Sequence, residues 1–220
     1  MKLSERICRG KLGSLAALLA VVMVSLLLGG CAGSGVRNSA RKFNTVVIDA
    51  GHGGHDQGTR SSRYMREKDA ALDVALRLEK KVRAAGFKTV MTRTGDYFVT
   101  LDDRVRISNR RNNAIFVSVH FNEARRRPDI SGAEVYYHSA QSVELSQRTL
   151  NHIGSIPSSK RRFIKQARFR VLRLNKNPAI LIEGGYFSNR GEAARFANPA
   201  YRDILADAIT KALVEQKKAR

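Results

Sequence analysis

The chain has 220 residues, a length that suits one domain with a leader and excludes two full-sized domains. Apolar residues make up 43% of the chain, which is enough for a core and excludes a wholly disordered protein. The formal net charge of +21 favours a polyanionic partner, but charge alone leaves nucleic acid, an anionic membrane surface and a carboxylate-rich cell-wall polymer open.

Residues 1–30 have the layout of a secretory signal, with a basic start, an almost wholly apolar stretch over 12–28 and small residues after it. A helix that spans a membrane needs about 20 apolar residues, so an uncleaved anchor stays open. The segment Leu28-Gly29-Gly30-Cys31 resembles the bacterial lipobox, whose cysteine is acylated and begins the mature chain. This favours a lipoprotein signal peptide over an uncleaved anchor or ordinary cleavage.

Lipidation at Cys31 predicts a protein on the periplasmic face of a membrane. Ala32, next to that cysteine, resembles the pattern that is sorted to the outer membrane. Residues 31–42 are rich in Gly, Ser and basic residues and predict a flexible tether. Cys8 and Cys31 are the two cysteines of the chain, so any metal bound in the domain predicted over 43–217 is held by His, Asp or Glu.

Strands and helices alternate along this domain. In chain order, the patterns predict strand Thr45–Asp49, helix Ala71–Ala85, strand Phe87–Thr92, helix Leu101–Arg111 capped by Thr100, strands Ala114–His120 and Ala133–Tyr137, helix Val143–Ile153, a basic loop over 160–173 with a short strand near Arg168–Leu172, strand Pro178–Glu183, and a helix that begins at Asn198-Pro199. This order predicts a single α/β domain, with a mostly parallel or mixed twisted sheet and helices on both faces.

Three predicted strands stop at polar residues, at Asp49 to His52, at His120 and at Glu183. In open α/β sheets the ligand site lies beyond the carboxyl ends of the strands. Each residue also has a plainer interpretation: an incidental His in a glycine turn, a hydrogen-bonded His at a strand end, or a salt-bridged Glu183. Glu67, at the start of a helix, is equally explained by the helix dipole.

Together these residue types have a chemical logic. Two imidazoles and one carboxylate make a three-ligand zinc site whose fourth position is open to water. Zinc lowers the pKa of that water from about 16 to about 7. A second carboxylate that does not bind the metal can take the water proton and pass it to a leaving amine.

Six segments of the chain make a specific resemblance. They are Thr45–Gly58 (TVVIDAGHGGHDQG), Glu67-Lys68, Thr92–Asp96 (TRTGD), Leu101–Arg104 (LDDR), Ser118–Asn122 (SVHFN) and Ile182–Asn189 (IEGGYFSN). In this order they resemble the zinc-dependent N-acetylmuramoyl-L-alanine amidases of the amidase 3 family, over about residues 43–216. The resemblance implies Zn²⁺ held by His52, Glu67 and His120, with Glu183 as the catalytic glutamate.

The implied reaction is hydrolysis of the amide between N-acetylmuramic acid and L-alanine in peptidoglycan. The implied partners are peptidoglycan and, through the lipid, a membrane, without nucleic acid; a need for an activator protein stays open. Asn122 and Asn189 could orient substrate or ligands, although polar capping is the plainer interpretation, and Asp49 and Asp56 are expected to brace the loop or His52. Two alternatives stay open: another zinc hydrolase of this fold, acting on a peptide or acetyl group, and a non-catalytic basic wall-binding protein.

Overall fold

The computed structural model describes residue 40 and residues 42–59 and 64–219. The predicted signal peptide over 1–30 and the predicted lipidation site Cys31 lie outside the described residues, as does most of the tether over 31–42. Ala40 is buried in the larger core of the domain. Within the described ranges, no helix combines the length and apolar character that crossing a membrane requires.

Six strands form one mixed sheet in the order β2-β1-β3-β6-β4-β5. Their bounds are β1 (Thr45–Ala50), β2 (Lys88–Met91), β3 (Ala114–Asn122), β4 (Ala133–Tyr137), β5 (Arg161–Gln166) and β6 (Ala179–Tyr186). All neighbouring strands are parallel except β4 and β6, which are antiparallel. The predicted α/β domain with a mostly parallel or mixed sheet is therefore confirmed.

In the part of the chain that the structure describes, six helices accompany the sheet: α1 (Glu67–Ala84), α2 (Leu101–Asn109), α3 (Val143–Gly154), α4 (Arg170–Arg173), α5 (Arg190–Ala197) and α6 (Pro199–Lys218). A single 3₁₀ turn, Ala140–Ser142, precedes α3. As predicted, the Thr100 side chain caps α2 by accepting from a backbone amide, and Asn198 does the same for α6. The sequence does not predict helix α5, which Asn189 caps, because eight residues give too little periodicity to indicate a helix.

Alternate residues of the central strands pack on opposite faces of the sheet. One face carries the larger core, where Ile48, Val117 and Ile182 pack under α1, α3 and α6. The other face carries a smaller core, in which Phe116 and Leu181 meet the short helices α2 and α4. Helices thus cover both faces unequally, and the polar residues that end β1, β3 and β6 lie on the thinly covered one.

The prediction of a basic loop with a strand near Arg168–Leu172 is wrong. The strand is β5, over Arg161–Gln166, and Arg170–Arg173 is one helical turn. Strand β5 lies at the edge of the sheet with five of its six residues exposed, so it lacks the apolar–polar alternation that marks a strand. In α4, Val171 and Leu172 are both buried, which gave the segment the appearance of a short strand.

Candidate metal centre and active site

Three side chains converge at one edge of the sheet. His52 follows β1, Glu67 opens α1, and His120 lies near the end of β3. His52 Nε2 lies 2.9 Å from Glu67 Oε1 and 3.0 Å from His120 Nδ1, and His120 Nδ1 lies 3.2 Å from Glu67 Oε1. These three residues are the metal ligands that the family resemblance implies. They form a cluster that could hold a metal ion.

The spacing of the three donor atoms fits a small tetrahedral cation. Zinc binds imidazole nitrogen and carboxylate oxygen at about 2.0–2.1 Å, which puts neighbouring tetrahedral ligand atoms about 3.3 Å apart. The triangle of 2.9, 3.0 and 3.2 Å is only slightly smaller than that. Two imidazoles and one carboxylate are also a donor set that zinc prefers. The residues therefore fit the zinc ion that the sequence implies.

The three donors are held in place by further contacts. Glu67 accepts from the amide of Phe121 at 3.0 Å through Oε1 and from the amide of Thr59 at 2.8 Å through Oε2. His52 Nδ1 lies 2.9 Å from Asp56 Oδ2, the kind of carboxylate contact that fixes the tautomer and orientation of a metal-binding imidazole. Burial opposes the charge on Glu67, but the two histidines outweigh it and hold the pKa of that carboxyl well below its usual range.

Two glycines make room for these ligands. A Cβ atom on Gly51 would lie 2.4 Å from the His120 ring, and one on Gly58 would lie 2.4 Å from Glu67 Oε2. Gly58 also has φ +73°, a conformation that favours glycine. The glycines around His52 therefore let the backbone turn and let the other two ligands approach.

Glu183 lies beside this cluster, on the neighbouring strand. Its Cα is the register partner of His120 across β3 and β6. The Oε2 atom is buried and has no hydrogen-bond partner among the described residues. Burial, with the negative charges of Glu67 and Glu134, raises the pKa of Glu183 well above its ordinary value; a bound cation acts in the opposite direction. An unpartnered buried carboxylate is costly, which is expected of a group kept for chemistry.

Asp49 is fully buried, and its carboxylate accepts hydrogen bonds from residues outside the cluster of His52, Glu67 and His120. It accepts from Arg104 Nη1 at 2.6 Å and from the hydroxyls of Thr92 and Ser118 at 2.6 and 2.7 Å. Burial opposes its ionisation, but the charge of Arg104 and the two hydroxyls outweigh burial and lower its pKa. Asp49 thus braces the end of β1 through Arg104, and its expected role as a brace of the loop agrees with these contacts.

Two buried arginines hold the backbone that carries His52. Arg104 donates to the carbonyls of Ala50 and His52, both at 2.6 Å. Arg93 donates to the carbonyls of Ala50 at 2.9 Å and Gly51 at 2.7 Å. These two residues belong to the TRTGD and LDDR segments, and sequence reasoning assigned them no role.

Lys68 and Asp96, from two of the motif segments, hold the same loop at Gly54. Lys68 Nζ donates to the carbonyl of Gly54 at 2.8 Å and to Asp96 Oδ2 at 2.7 Å. Asp96 Oδ1 in turn accepts from the amide of Gly54 at 2.8 Å. Gly54, Lys68 and Asp96 each come from a different one of the six segments. The sequence signal for these contacts is the joint presence of Thr45–Gly58, Glu67-Lys68 and Thr92–Asp96.

The two asparagines of the motifs have structural partners. Asn122 Nδ2 donates to Glu134 Oε2 at 3.2 Å, and Asn189 caps α5 and donates to the carbonyl of Pro128 at 2.9 Å. Their proposed contact with substrate stays a prediction. His55 does not join the three donors, and its ring lies 4.2 Å from the ring of Phe98.

A cavity of about 390 Å³ adjoins the cluster on the thinly covered face of the sheet. His52 and His120 border it, together with apolar residues that include Phe98, Phe169 and Leu181. A substrate group held here would lie directly against two of the three donors. The site therefore combines a metal-binding cluster, a nearby unpartnered carboxylate and a cavity large enough for part of a substrate.

The sequence profile of the N-acetylmuramoyl-L-alanine amidases of the amidase 3 family matches residues 46–215. The chain belongs to this amidase family. Its residues match the structure of the amidase AmiC2 of Nostoc punctiforme with a TM-score of 0.76 and 38% identity, over 79% of this chain and 96% of AmiC2. The amidase LytC of Bacillus subtilis strain 168 is 31% identical over 169 residues, which are 75% of this chain but 34% of LytC.

A probable cell wall amidase, LytH of Staphylococcus epidermidis, is 34% identical over 174 residues, which are 78% of this chain and 58% of LytH. The chain thus spans about a third of LytC and somewhat more than half of LytH. The family whose profile matches this chain is named for N-acetylmuramoyl-L-alanine amidase activity.

Proposed function

We propose that this amidase cleaves the bond between N-acetylmuramic acid and L-alanine of the stem peptide with a zinc ion held by His52, Glu67 and His120. The single observation that supports the proposal best is the triangle of donor atoms with edges of 2.9–3.2 Å. A bound zinc ion supplies a Lewis acid for the amide carbonyl and lowers the pKa of water.

The residues of the chain supply the rest of the proposed chemistry. Glu183 accepts the proton of the attacking water and then delivers it to the leaving amine of L-alanine. Its free Oε2 atom, one strand away from His120, supports this role. Asp56 holds the His52 ring through Nδ1, so that Nε2 keeps its lone pair for the metal.

The test is digestion of purified peptidoglycan by the purified protein, with mass analysis of the products and zinc determination on the same sample. We expect one zinc per chain and release of stem peptides that begin with a free L-alanine amine. Release of acetate, or cleavage between amino acids of the stem, would instead identify another zinc hydrolase of this fold. Chelation should abolish the activity, and added zinc should restore it.

We also propose that the amidase is lipid-anchored through Cys31 on the periplasmic face of a membrane, the outer membrane being favoured by Ala32. The support is the lipobox-like segment Leu28–Cys31 after an apolar stretch. Curated relatives named as cell wall amidases are consistent with action outside the cytoplasm.

The anchor is tested by Cys31→Ser. We expect the variant to take up no labelled fatty acid and either to leave the membrane fraction or to stay unprocessed, because the acylated thiol is gone. Cys8→Ser is the matched control, since this cysteine precedes the apolar stretch and should not affect labelling. Fatty acid incorporated into Cys31→Ser would contradict the proposed lipid site.

A further inference from the structure

Strands β4 and β5 contain a β-bulge beside the active site. Ala133 pairs with Arg161 and Glu134 pairs with Phe163, so Arg162 has no partner on β4. A bulge redirects the side chain of the extra residue and is common next to active sites. Here the Arg162 side chain turns toward Glu134, and its Nε donates to Glu134 Oε1 at 2.6 Å.

Glu134 connects this arginine to the catalytic strand. It is the register partner of Glu183 across β4 and β6, and directly opposite residues of an antiparallel pair share one face. The Glu134 carboxylate is buried and also accepts from the hydroxyls of Tyr136 and Tyr186. The two oxygens of Glu134 thus accept from several donors. Arg162 contributes only its Nε to this carboxylate.

The guanidinium of Arg162 is fixed but keeps free donors. Its Cζ lies 5.4 Å from the centroid of the Phe163 ring and 5.6 Å from that of Tyr186, in addition to the bond from Nε. Its two Nη atoms donate to no residue that the structure describes, and the side chain is 31% exposed. A held guanidinium with two free Nη groups suits binding of a carboxylate by two parallel hydrogen bonds.

The surroundings favour an anion. Between Glu144 and Glu183 the sequence contains no Asp or Glu and nine Lys or Arg. Lys165 is the register partner of Tyr136, so its side chain shares the face of Glu134. It is exposed and forms no ion pair with any residue in the described ranges. Arg148 and Arg170 are paired with Glu215 and Asp102, but a substrate carboxylate at Arg162 would meet the unpaired Lys165 on the same face.

We propose that Arg162 binds a free carboxylate of the stem peptide, on the second or third residue beyond the scissile amide. Adjacent strands lie about 4.8 Å apart, so β5 is about 10 Å from the strand of Glu183. An extended peptide covers about 3.4 Å per residue, so about three residues reach from Glu183 to Arg162. The inference rests on the proposed function, because it assumes that the scissile amide lies at Glu183.

The experiment uses two muramoyl tripeptides that differ only in charge. One carries free carboxylates on its second and third residues, and the other carries both as amides. The holoenzyme and the variants Arg162→Gln, Arg162→Lys and Arg161→Gln are compared by kcat/KM on both substrates. Zinc content and Tm of every variant are measured on the same preparations. Arg161 is the matched control, because its Nη1 donates to Asn151 on α3 at 2.8 Å.

We expect the wild type to prefer the acidic substrate by about tenfold to a hundredfold, mainly through KM, which is the range of a hydrogen bond to a charged group. Arg162→Gln should lose this preference by losing activity on the acidic substrate alone, and Arg161→Gln should keep it. Arg162→Lys keeps the charge beside Glu134 and should keep part of the preference, so it serves if the Gln variant is unstable.

Three outcomes would overturn the inference. Equal wild-type activity on both tripeptides excludes a carboxylate site. Equal loss on both tripeptides in Arg162→Gln and Arg162→Lys means that Arg162 only supports Glu134. A wild-type enzyme that cleaves neither tripeptide nor peptidoglycan refutes the proposed function, and the carboxylate site with it. If none of these three outcomes occurs, amidating the two carboxylates one at a time identifies the stem-peptide residue whose carboxylate Arg162 binds.

Discussion

Glu183→Gln is expected to keep its zinc and its fold and to lose turnover by about 10²–10⁴-fold, the usual contribution of general acid–base catalysis. The amide is nearly the size of the carboxylate but cannot accept the water proton. The Oε2 atom that changes has no partner among the described residues, so its replacement breaks no hydrogen bond. The measurement is turnover on purified peptidoglycan, with zinc stoichiometry determined on the same sample.

Glu67→Gln should behave in the opposite way. Its Oε1 atom lies within 3.2 Å of both imidazoles, and a neutral amide is a poor zinc ligand, so metal affinity itself should fall. Glu79→Gln, on the same helix but in contact with Arg83 and Thr89, is the control and should keep both zinc and turnover. Loss of zinc in Glu183→Gln with retention in Glu67→Gln would mean that the two roles are exchanged.

The positions of the ligands could be predicted because they follow from the chain locally. His52, His120 and Glu183 each lie at or near the end of a predicted strand, and parallel strands bring their carboxyl ends to one edge of a sheet. Glu67 could not be assigned in this way, because a carboxylate in the first turn of a helix has a sufficient explanation in the helix dipole. Only the family resemblance made it a ligand.

The support of the loop could not be predicted, for a physical reason. Arg93 and Arg104 act through hydrogen bonds to backbone carbonyls 42 to 54 residues away in sequence, and such bonds leave no periodic pattern. A basic residue in a helix is normally assigned to the exposed face, yet Arg104 is 3% exposed. The prediction of strand β5 failed for a related reason. An exposed edge strand needs no apolar face, so its sequence lacks the alternation that indicates a strand.

Arg104→Met tests how much of the fold depends on this support. Asp49 and Arg104 are both buried, and removal of one partner leaves an unpaired charge in the core, a change that typically costs about 3–5 kcal/mol. For a domain of this size, 1 kcal/mol corresponds to about 2–4 °C, so Tm should fall by roughly 6–20 °C. Arg111→Met, at an exposed position just after α2, should change stability by at most about 0.5 kcal/mol.

The pH dependence of that loss distinguishes an ion pair from simple packing. The pKa of Asp49 is below its ordinary value of 3.8 in the folded chain, so its contribution to stability is complete above that pH and is lost as the pH falls further. The difference in Tm between wild type and Arg104→Met should therefore narrow as the pH is lowered through about 4. A difference in Tm that stays the same above and below about pH 4 would show that the methionine acts through packing and the lost carbonyl contacts alone. Arg104 also donates to the carbonyl of His52 at 2.6 Å. The zinc affinity of Arg104→Met should therefore be lower than that of the wild type even under conditions in which the variant is folded.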